Sequence, residues 1–310
     1  MTAKEIHNLF SQEFDLVGII RTSEYNKTAN ALNKNTSGLK YPTMVVLGLA
    51  YPKRLLKHSK THLVPSFYTF GKDYHLVMKE KIQKICDTFS FKYEYGVDNH
   101  PLDERLAAQI SGLGFLGKNQ LIINKDYGSY MFLAMVSLDN PIHEDIKYTI
   151  DDDCGSCRKC IEACPTNALT DDGYVQNKCI SNYNQTKKVL TKEEIEKNYC
   201  LFGCDICQLV CPKNINKGKI VHPGFELSGK EMVSILDLFE LSQKEFNKKY
   251  SDMAYTWKGK TILMRNALTL LYNHNNTDYN DLIQESINKY PMPWYQETAK
   301  FILNKLENIK

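Results

Sequence analysis

The run CGSCRKCIEACP at residues 154–165 sets four cysteines at the spacing C-x2-C-x2-C-x3-C, with proline after the fourth. This run restricts the fold more than any hydrophobic pattern in the chain. A tight loop can present the first three thiolates to one iron–sulfur cubane, while the fourth, before proline, points away and ligates a second cluster. Zinc competes for paired CxxC units, but it needs four ligands and gives no reason for the third spacing or for Pro165. A second run, CDICQLVCP at 204–212, supplies Cys204, Cys207 and Cys211 but has Leu201 where the regular pattern has a cysteine. By the crossed arrangement, Cys154, Cys157 and Cys160 hold one 4Fe–4S cluster with Cys211. Cys204 and Cys207 hold the other with Cys164, and that set is one thiolate short. Cys179 and Cys200 are both candidates for the missing ligand. Spacing alone favours Cys200, one residue from the regular position; the chemistry requires only a thiolate in reach, which Cys179 also offers.

Nine of the ten cysteines lie between 154 and 211, so a framework of scattered disulfides is not expected. The N-terminal MTAKEIHNLFSQEFD lacks the apolar core of a signal peptide, and no apolar run is long enough to span a bilayer. A cytoplasmic protein is the expectation. The net charge is only +3, but its distribution is uneven. Between Glu24 and Asp73 there is no acid, while Lys27, Lys34, Lys40, Lys53, Arg54, Lys57, Lys60 and Lys72 fall in that window. Such a block attracts polyanions, or else forms a solvated face. The segment 151–212 is the opposite, with seven basic and ten acidic residues.

The 310 residues suggest two or three modules. FDLVGIIRT (14–22) and TMVVLGLA (43–50) read as buried strands, and 72–90 reads as a helix with Cys86 in its core face. A second helix is expected over 101–111, with Pro101 near its first position and acids in its first turn. Strands follow at 120–124 and 130–137. The cysteine segment shows little secondary-structure signal, so ligands rather than an apolar core are expected to hold it. After about 225 the pattern is helical to the end: GKTILMRNALTLLYNH, YNDLIQESINKY and PWYQETAKFILNKLENI suggest helical hairpins of a short α-repeat. The expected class is α+β and multidomain: a mixed α/β domain at 1–150, a ferredoxin-like two-cluster domain at 151–224, and a helical region at 225–310.

GLGFLGK (112–118) contains G-x-G-x-x-G. The dinucleotide fingerprint needs a strand before it and a helix after it. Here the order is reversed, which argues against NAD. Close backbone approach to a large ligand, or tight turns alone, accounts for Gly112, Gly114 and Gly117.

Taken together, FDLVGI, YTFGKDYH (68–75), VDNHPLDER (97–105), GLGFLGKN (112–119), YGSYMFL (127–133), CGSCRKCIEACPTNAL, KCISNYN, FGCDICQLVCPKN and KGKTILMRNALTLLYN resemble, in one order, the epoxyqueuosine reductases of tRNA modification. The resemblance runs through most of the chain. It implies a cobalamin-binding domain, a two-cluster domain and a HEAT-like helical repeat. It implies Cys179 of the C-I-S motif as the fourth ligand of the second cluster, with Cys200 incidental. It implies cobalamin as a cofactor, bound without a protein histidine beneath the cobalt. Contacts are expected from Tyr68, His75, Gly112, Gly114, Gly117, Lys118, Asn119, Gly128 and Ser129.

The implied reaction is reduction of the epoxide of epoxyqueuosine to queuosine at the wobble position of tRNAs for Asp, Asn, His and Tyr. An external flavodoxin or ferredoxin would supply electrons to a monomer. Asp98 is the expected proton donor, with desolvation raising its pKa. Asp103 and Glu104 are expected to cap and to pair with cations, and Arg105 to pair locally or to contact cofactor or phosphate. The basic window and the helical region, with Lys260 and Arg265, would grip the anticodon stem-loop, and truncation near 225 would leave both clusters in place. A pure electron-transfer protein and a reductive dehalogenase-like enzyme are the competing classes. The first leaves the α/β domain without a role, and the second has no use for a basic RNA surface.

Overall fold

The computed structural model describes residues 1–144, 148–150 and 152–308. The chain forms two compact units, each built from three stretches: 1–53, 74–158 and 210–224 in the first, and 54–73, 159–209 and 225–310 in the second. These units cut across the three segments expected from sequence, and the expected boundary at 150/151 touches Asp151, outside the described residues.

The first unit is organised on an antiparallel four-stranded sheet. Its strands are β1 (Leu16–Arg21), β2 (Thr43–Ala50), β3 (Tyr93–Gly96) and β4 (Met131–Leu138), in the order β1-β2-β4-β3. All eight residues of β2 are buried, as an unbroken apolar run requires when both sheet faces are covered. Met44 and Val46 pack in one cluster with Tyr25 and Ala29 of helix α1 (Thr22–Ala31) and Leu106 and Ala107 of helix α3 (Glu104–Ile110). Helix α2 (Tyr74–Cys86) packs against β4 and against the N-terminal helix Ala3–Phe10. Cys86 is buried in α2, as expected, and burial pushes its thiol up to about 12.

Helix α3 begins three residues later than its sequence suggests. Asp103, not a residue near Pro101, is the N-cap, and its carboxylate accepts from the N–H groups of Arg105 and Leu106 at 3.0 and 3.1 Å. The capping and ion-pairing expected of Asp103 is seen here, Lys34 being its cationic partner.

In the second unit the helix α4 (Lys260–Asn273) is buried along nearly its whole length. Helices α5 (Asn280–Lys289) and α6 (Pro293–Glu307) complete the helical end expected after 225; the last residues of the anticipated helix lie outside the described ones. The core around α4 includes Ile180, Tyr183, Leu190, Ile195, Leu201 and Phe202. This corrects the expectation that ligands alone hold the cysteine segment: part of it is packed on helices from 225–310. Truncation near 225 would therefore remove that core. Arg265 and Lys260 are also corrected, because both are fully buried and cannot meet RNA. Arg265 donates to the carbonyls of Tyr183 and Lys188, each at 3.0 Å, and Lys260 to that of Leu241.

Candidate functional site

The cysteines distribute between the units. In the first, burial raises the thiol pKa of Cys211, and the neighbouring Cys154 and Cys157 add to the rise. Cys154 and Cys157 flank a tight turn: the Cys157 N–H donates to the Cys154 carbonyl at 3.1 Å, and Gly155 has φ +49°. Its apex is fixed by Asp153, whose Oδ1 accepts from the Gly155 N–H at 2.6 Å.

In the second unit, Cys207 feels Cys204, Cys179, Cys160 and Cys164, and burial drives its thiol far up. Burial also pushes Cys204 up to about 12. Cys164 goes the other way: burial is outweighed by hydrogen bonds from Thr166 and the backbone, including the Ala168 N–H at 3.3 Å. Cys204, Cys207 and Cys211, desolvated in this way, stay protonated until a cation takes the proton's place, and iron ligation reverses that preference. Among the described residues, no three Cys, His, Asp or Glu groups close on a single ion. A cubane, with its thiolates on four separate corners, makes no such demand, so the donor set fits the group.

The two candidates for the fourth ligand differ in their surroundings. Cys179 lies at the N-cap of the helix Ile180–Tyr183, within the field of Cys204 and Cys207. Cys200 is buried, its Sγ 3.2 Å from the Phe202 carbonyl and 3.7 Å from that of Val64, and desolvation raises its pKa well above the ordinary value. Sequence reasoning missed Tyr199, whose hydroxyl donates to Cys204 Sγ at 3.4 Å and accepts from the Asp205 N–H at 2.7 Å. No spacing rule points to it. Asp205 itself is buried against Ser66 and the Phe67 N–H, and desolvation pushes its carboxyl to about 6.

Asp98 sits in the loop between β3 and α3, at φ +58°. Its carboxylate is 60% exposed; Oδ2 accepts from the Tyr74 hydroxyl at 2.8 Å, with His75 Nε2 at 3.8 Å. The Tyr74 ring is stacked on Phe132 at 4.2 Å, so the hydroxyl is held in place. The expected upward pKa shift is not what these neighbours produce. The His75 imidazole, and then the Tyr74 hydroxyl, hold the Asp98 carboxyl below its ordinary value, outweighing desolvation. Glu104 carries the raised carboxyl instead, because burial dominates there. Its Oε1 accepts from the Asp98 N–H at 2.8 Å and lies 2.9 Å from His100 Nε2. Gly96 makes room for this fold-back, since a Cβ there would lie 2.1 Å from the His100 ring.

The glycine-rich turn is explained by the chain's own packing. A Cβ on Gly114 would lie 2.4 Å from the Ile123 carbonyl, and one on Gly117 2.6 Å from Asn119 Oδ1. The helix does precede the strand Phe115–Leu116, the reverse of a dinucleotide fold. Lys118 Nζ donates to the carbonyls of Gly155 and Cys157, whereas the buried Asn119 Nδ2 has no partner among the described residues. Ser129 is tied to Asn214: its N–H donates to Oδ1 at 2.8 Å, and Asn214 Nδ2 donates to its Oγ at 2.9 Å. Arg105 pairs locally with Asp103, its Nε 3.8 Å from Oδ1, and also donates to the Gln120 carbonyl at 3.2 Å. Tyr68 lies in the second unit, partly buried against its core.

The 4Fe-4S double cluster binding domain family matches residues 153–214, the stretch that holds all nine clustered cysteines. The epoxyqueuosine reductase of Lactococcus garvieae (strain Lg2) is 33% identical over 323 residues, covering 96% of this chain and 90% of the relative. The chain belongs to the epoxyqueuosine reductase family. The Bacillus subtilis (strain 168) epoxyqueuosine reductase is 35% identical over 86% of this chain and 72% of its own length. Among solved structures, the epoxyqueuosine reductase of Streptococcus thermophilus superposes with a TM-score of 0.84 at 27% identity, covering all of this chain and 92% of that one. An epoxyqueuosine reductase crystallised with an epoxyqueuosine-modified tRNA-Tyr stem loop gives 0.83 at 29%, covering 98% and 89%. The mixed α/β fold and the two-cluster segment of this chain are thus those of epoxyqueuosine reductases.

Proposed function

We propose that this chain reduces epoxyqueuosine to queuosine at the wobble position of tRNA, the last step of queuosine synthesis. The observation that carries the reading is family membership over 96% of the chain, together with two groups of facing cysteines and an aspartate on a loop braced by Glu104. Removing the epoxide oxygen as water takes two electrons and two protons and leaves the cyclopentene. Bound cobalamin supplies a low-potential nucleophilic centre, and two 4Fe–4S clusters supply single electrons in the required range.

The chain's own residues do the rest. Cys154, Cys157, Cys160 and Cys211 hold one cluster; Cys164, Cys179, Cys204 and Cys207 hold the other. In the first unit, the resemblance places His75, Gly112, Gly114, Gly117, Lys118, Asn119, Gly128 and Ser129 around the cofactor, where the glycines also serve the chain's own packing. The unpartnered Asn119 Nδ2 supports this, being a buried donor that fits an acceptor on a bound group. Tyr68 is assigned to the same role by resemblance alone. Asp98 donates the proton to the departing oxygen. With its carboxyl held low by His75, it must exchange those contacts for a drier setting in order to act as an acid.

The substrate is the anticodon stem-loop of Asp, Asn, His and Tyr tRNAs, whose unpaired bases can be turned outward. The protein acts as a cytoplasmic monomer fed by a flavodoxin or ferredoxin, and α4 to α6 form a HEAT-like repeat. The test is anaerobic reconstitution with iron, sulfide and cobalamin, then reaction with an epoxyqueuosine-modified stem-loop under a low-potential reductant. Mass spectrometry should show loss of one oxygen from the nucleoside. Dehalogenation of an organohalide with no change in the stem-loop would reject the reading.

A further inference from the structure

We propose that Lys118 sets the reduction potential of the cluster bound at Cys154, Cys157 and Cys211, acting as a fixed positive charge on its loop. This rests on the reading of those cysteines as cluster ligands. Lys118 stands at the tip of a short hairpin. The strands Phe115–Leu116 and Ile122–Ile123 pair, and the Gln120 N–H closes the turn onto the Gly117 carbonyl at 2.8 Å. From this tip the residue engages the cysteine loop at three points. Its backbone N–H donates to Cys154 Sγ at 3.4 Å, and its ammonium donates to the carbonyls of Gly155 at 2.8 Å and Cys157 at 3.0 Å. The side chain is thereby pinned across the turn that joins two of the thiolates.

The charges around that turn are unequal in their availability. Lys213, which also lies near Cys154, is paired with Asp152. Asp153 caps the Gly155 N–H and adds a negative charge to the same turn. Among the described residues no carboxylate pairs with Lys118. Its charge therefore offsets Asp153 and the thiolates. Cluster potentials depend on net charge and on hydrogen bonds to the sulfurs. A pinned cation favours the reduced, more negative cluster and raises its potential. The N–H to Cys154 is a backbone bond and survives substitution, so the side chain's charge can be tested by itself.

The experiment compares wild type, Lys118→Met and Lys118→Arg, reconstituted anaerobically, by iron analysis, cobalamin titration and an EPR-monitored redox titration. In Lys118→Met one of the two midpoints should fall by a tenfold change in the reduction equilibrium, about 59 mV for one electron, while the other stays. Lys118→Arg, which keeps the charge, should fall by less than half as much. Full iron with both midpoints unmoved in Lys118→Met would overturn the proposal, as would an arginine variant displaced as far as the methionine one. Weaker cobalamin binding with unmoved midpoints would leave the lysine only its place beside that cofactor and equally overturn the proposal. Should Lys118→Met fail to load iron, Lys118→Gln takes its place, keeping a donor for one carbonyl without the charge. A lowered midpoint there supports the proposal, and loss of iron there too makes the role one of loop folding and overturns it. If wild type itself takes up no iron, the ligand reading fails, an outcome distinct from all of these.

Discussion

A non-glycine residue at φ +58° costs of order 1 kcal/mol, and Asp98 stays there because Glu104 accepts its N–H and meets His100 with the same oxygen. Glu104→Ala removes both anchors. Turnover should fall by about 10²-fold, the cost of a misplaced reacting group, while iron content stays the same. Asp98→Asn keeps the shape but not the proton, and should cost roughly 10²–10⁴-fold. Single-turnover reduction of the modified stem-loop measures both, and a Glu104→Ala enzyme as fast as wild type would mean the loop is held elsewhere. The missing thiolate is decided at this scale as well. Cys179→Ala should lose about half the bound iron and Cys200→Ala none; full iron in the Cys179 variant would sink the assignment. Sequence spacing pointed toward Cys200, because distance along the chain says nothing about direction. The backbone turns Cys200 inward onto the Val64 and Phe202 carbonyls, and Cys179 toward Cys204. The same blindness explains the Asp98 pKa: VDNHP reveals a carboxylate, but not that Tyr74 and His75 lie against it.

The elements most legible in the sequence were those with a strong local signal. TMVVLGLA is strand β2 residue for residue, because an apolar β-branched run buried on both faces permits little else. Helix α3 was misjudged at its start, where Asp103 competes with Pro101 for the boundary and wins by capping two N–H groups. The YGSY stretch holds Gly128 and Ser129, both expected to contact the cofactor. It is also a clamp: Gly128 has φ +63°, and a Cβ there would lie 2.2 Å from Asn214 Oδ1, which holds Ser129. Gly128→Ala should destabilise the protein by about 1–3 kcal/mol, read from the urea midpoint. An unchanged midpoint would show that Asn214 moves aside freely. On helix α4, burial, and then Lys289, lowers the Lys260 pKa from 10.5 to about 8. The cost of burying its charge is present in full below the folded value and vanishes above the unfolded one, so stability should rise with pH between about 8 and 10.5. Lys260→Met lacks this group. The stability of wild type relative to the variant should climb across that window, and a flat difference would remove Lys260 as the cause.

The charge pattern of the whole molecule was legible only in part. Lys34 and Lys40 in the acid-free window find Asp103 and Glu94 from elsewhere in the chain, so a count of lysines overstated the field there. Arg54, Lys57 and Lys60 have no such partners among the described residues, and Lys57 and Lys60 line a cleft of about 840 Å³ that also reaches Tyr199. Reversing charge at Arg54 and Lys57 should weaken stem-loop binding and flatten the slope of log affinity against log salt by roughly one to two. Identical slopes would place the RNA on another face. What no periodicity could reveal is the interleaving of the two units, since contacts between distant stretches leave no local mark. It has a consequence for how the protein is made. Cys211, the last cysteine, is synthesised before any residue of 225–310, yet the core that seats Ile180 through Phe202 is built on those later helices. A ribosome therefore releases every cysteine before it releases the scaffold on which those of the second unit rest. Iron delivered to the emerging chain would meet loose thiols free to bind in the wrong combinations, so productive loading must wait until the helices of 225–310 have been made.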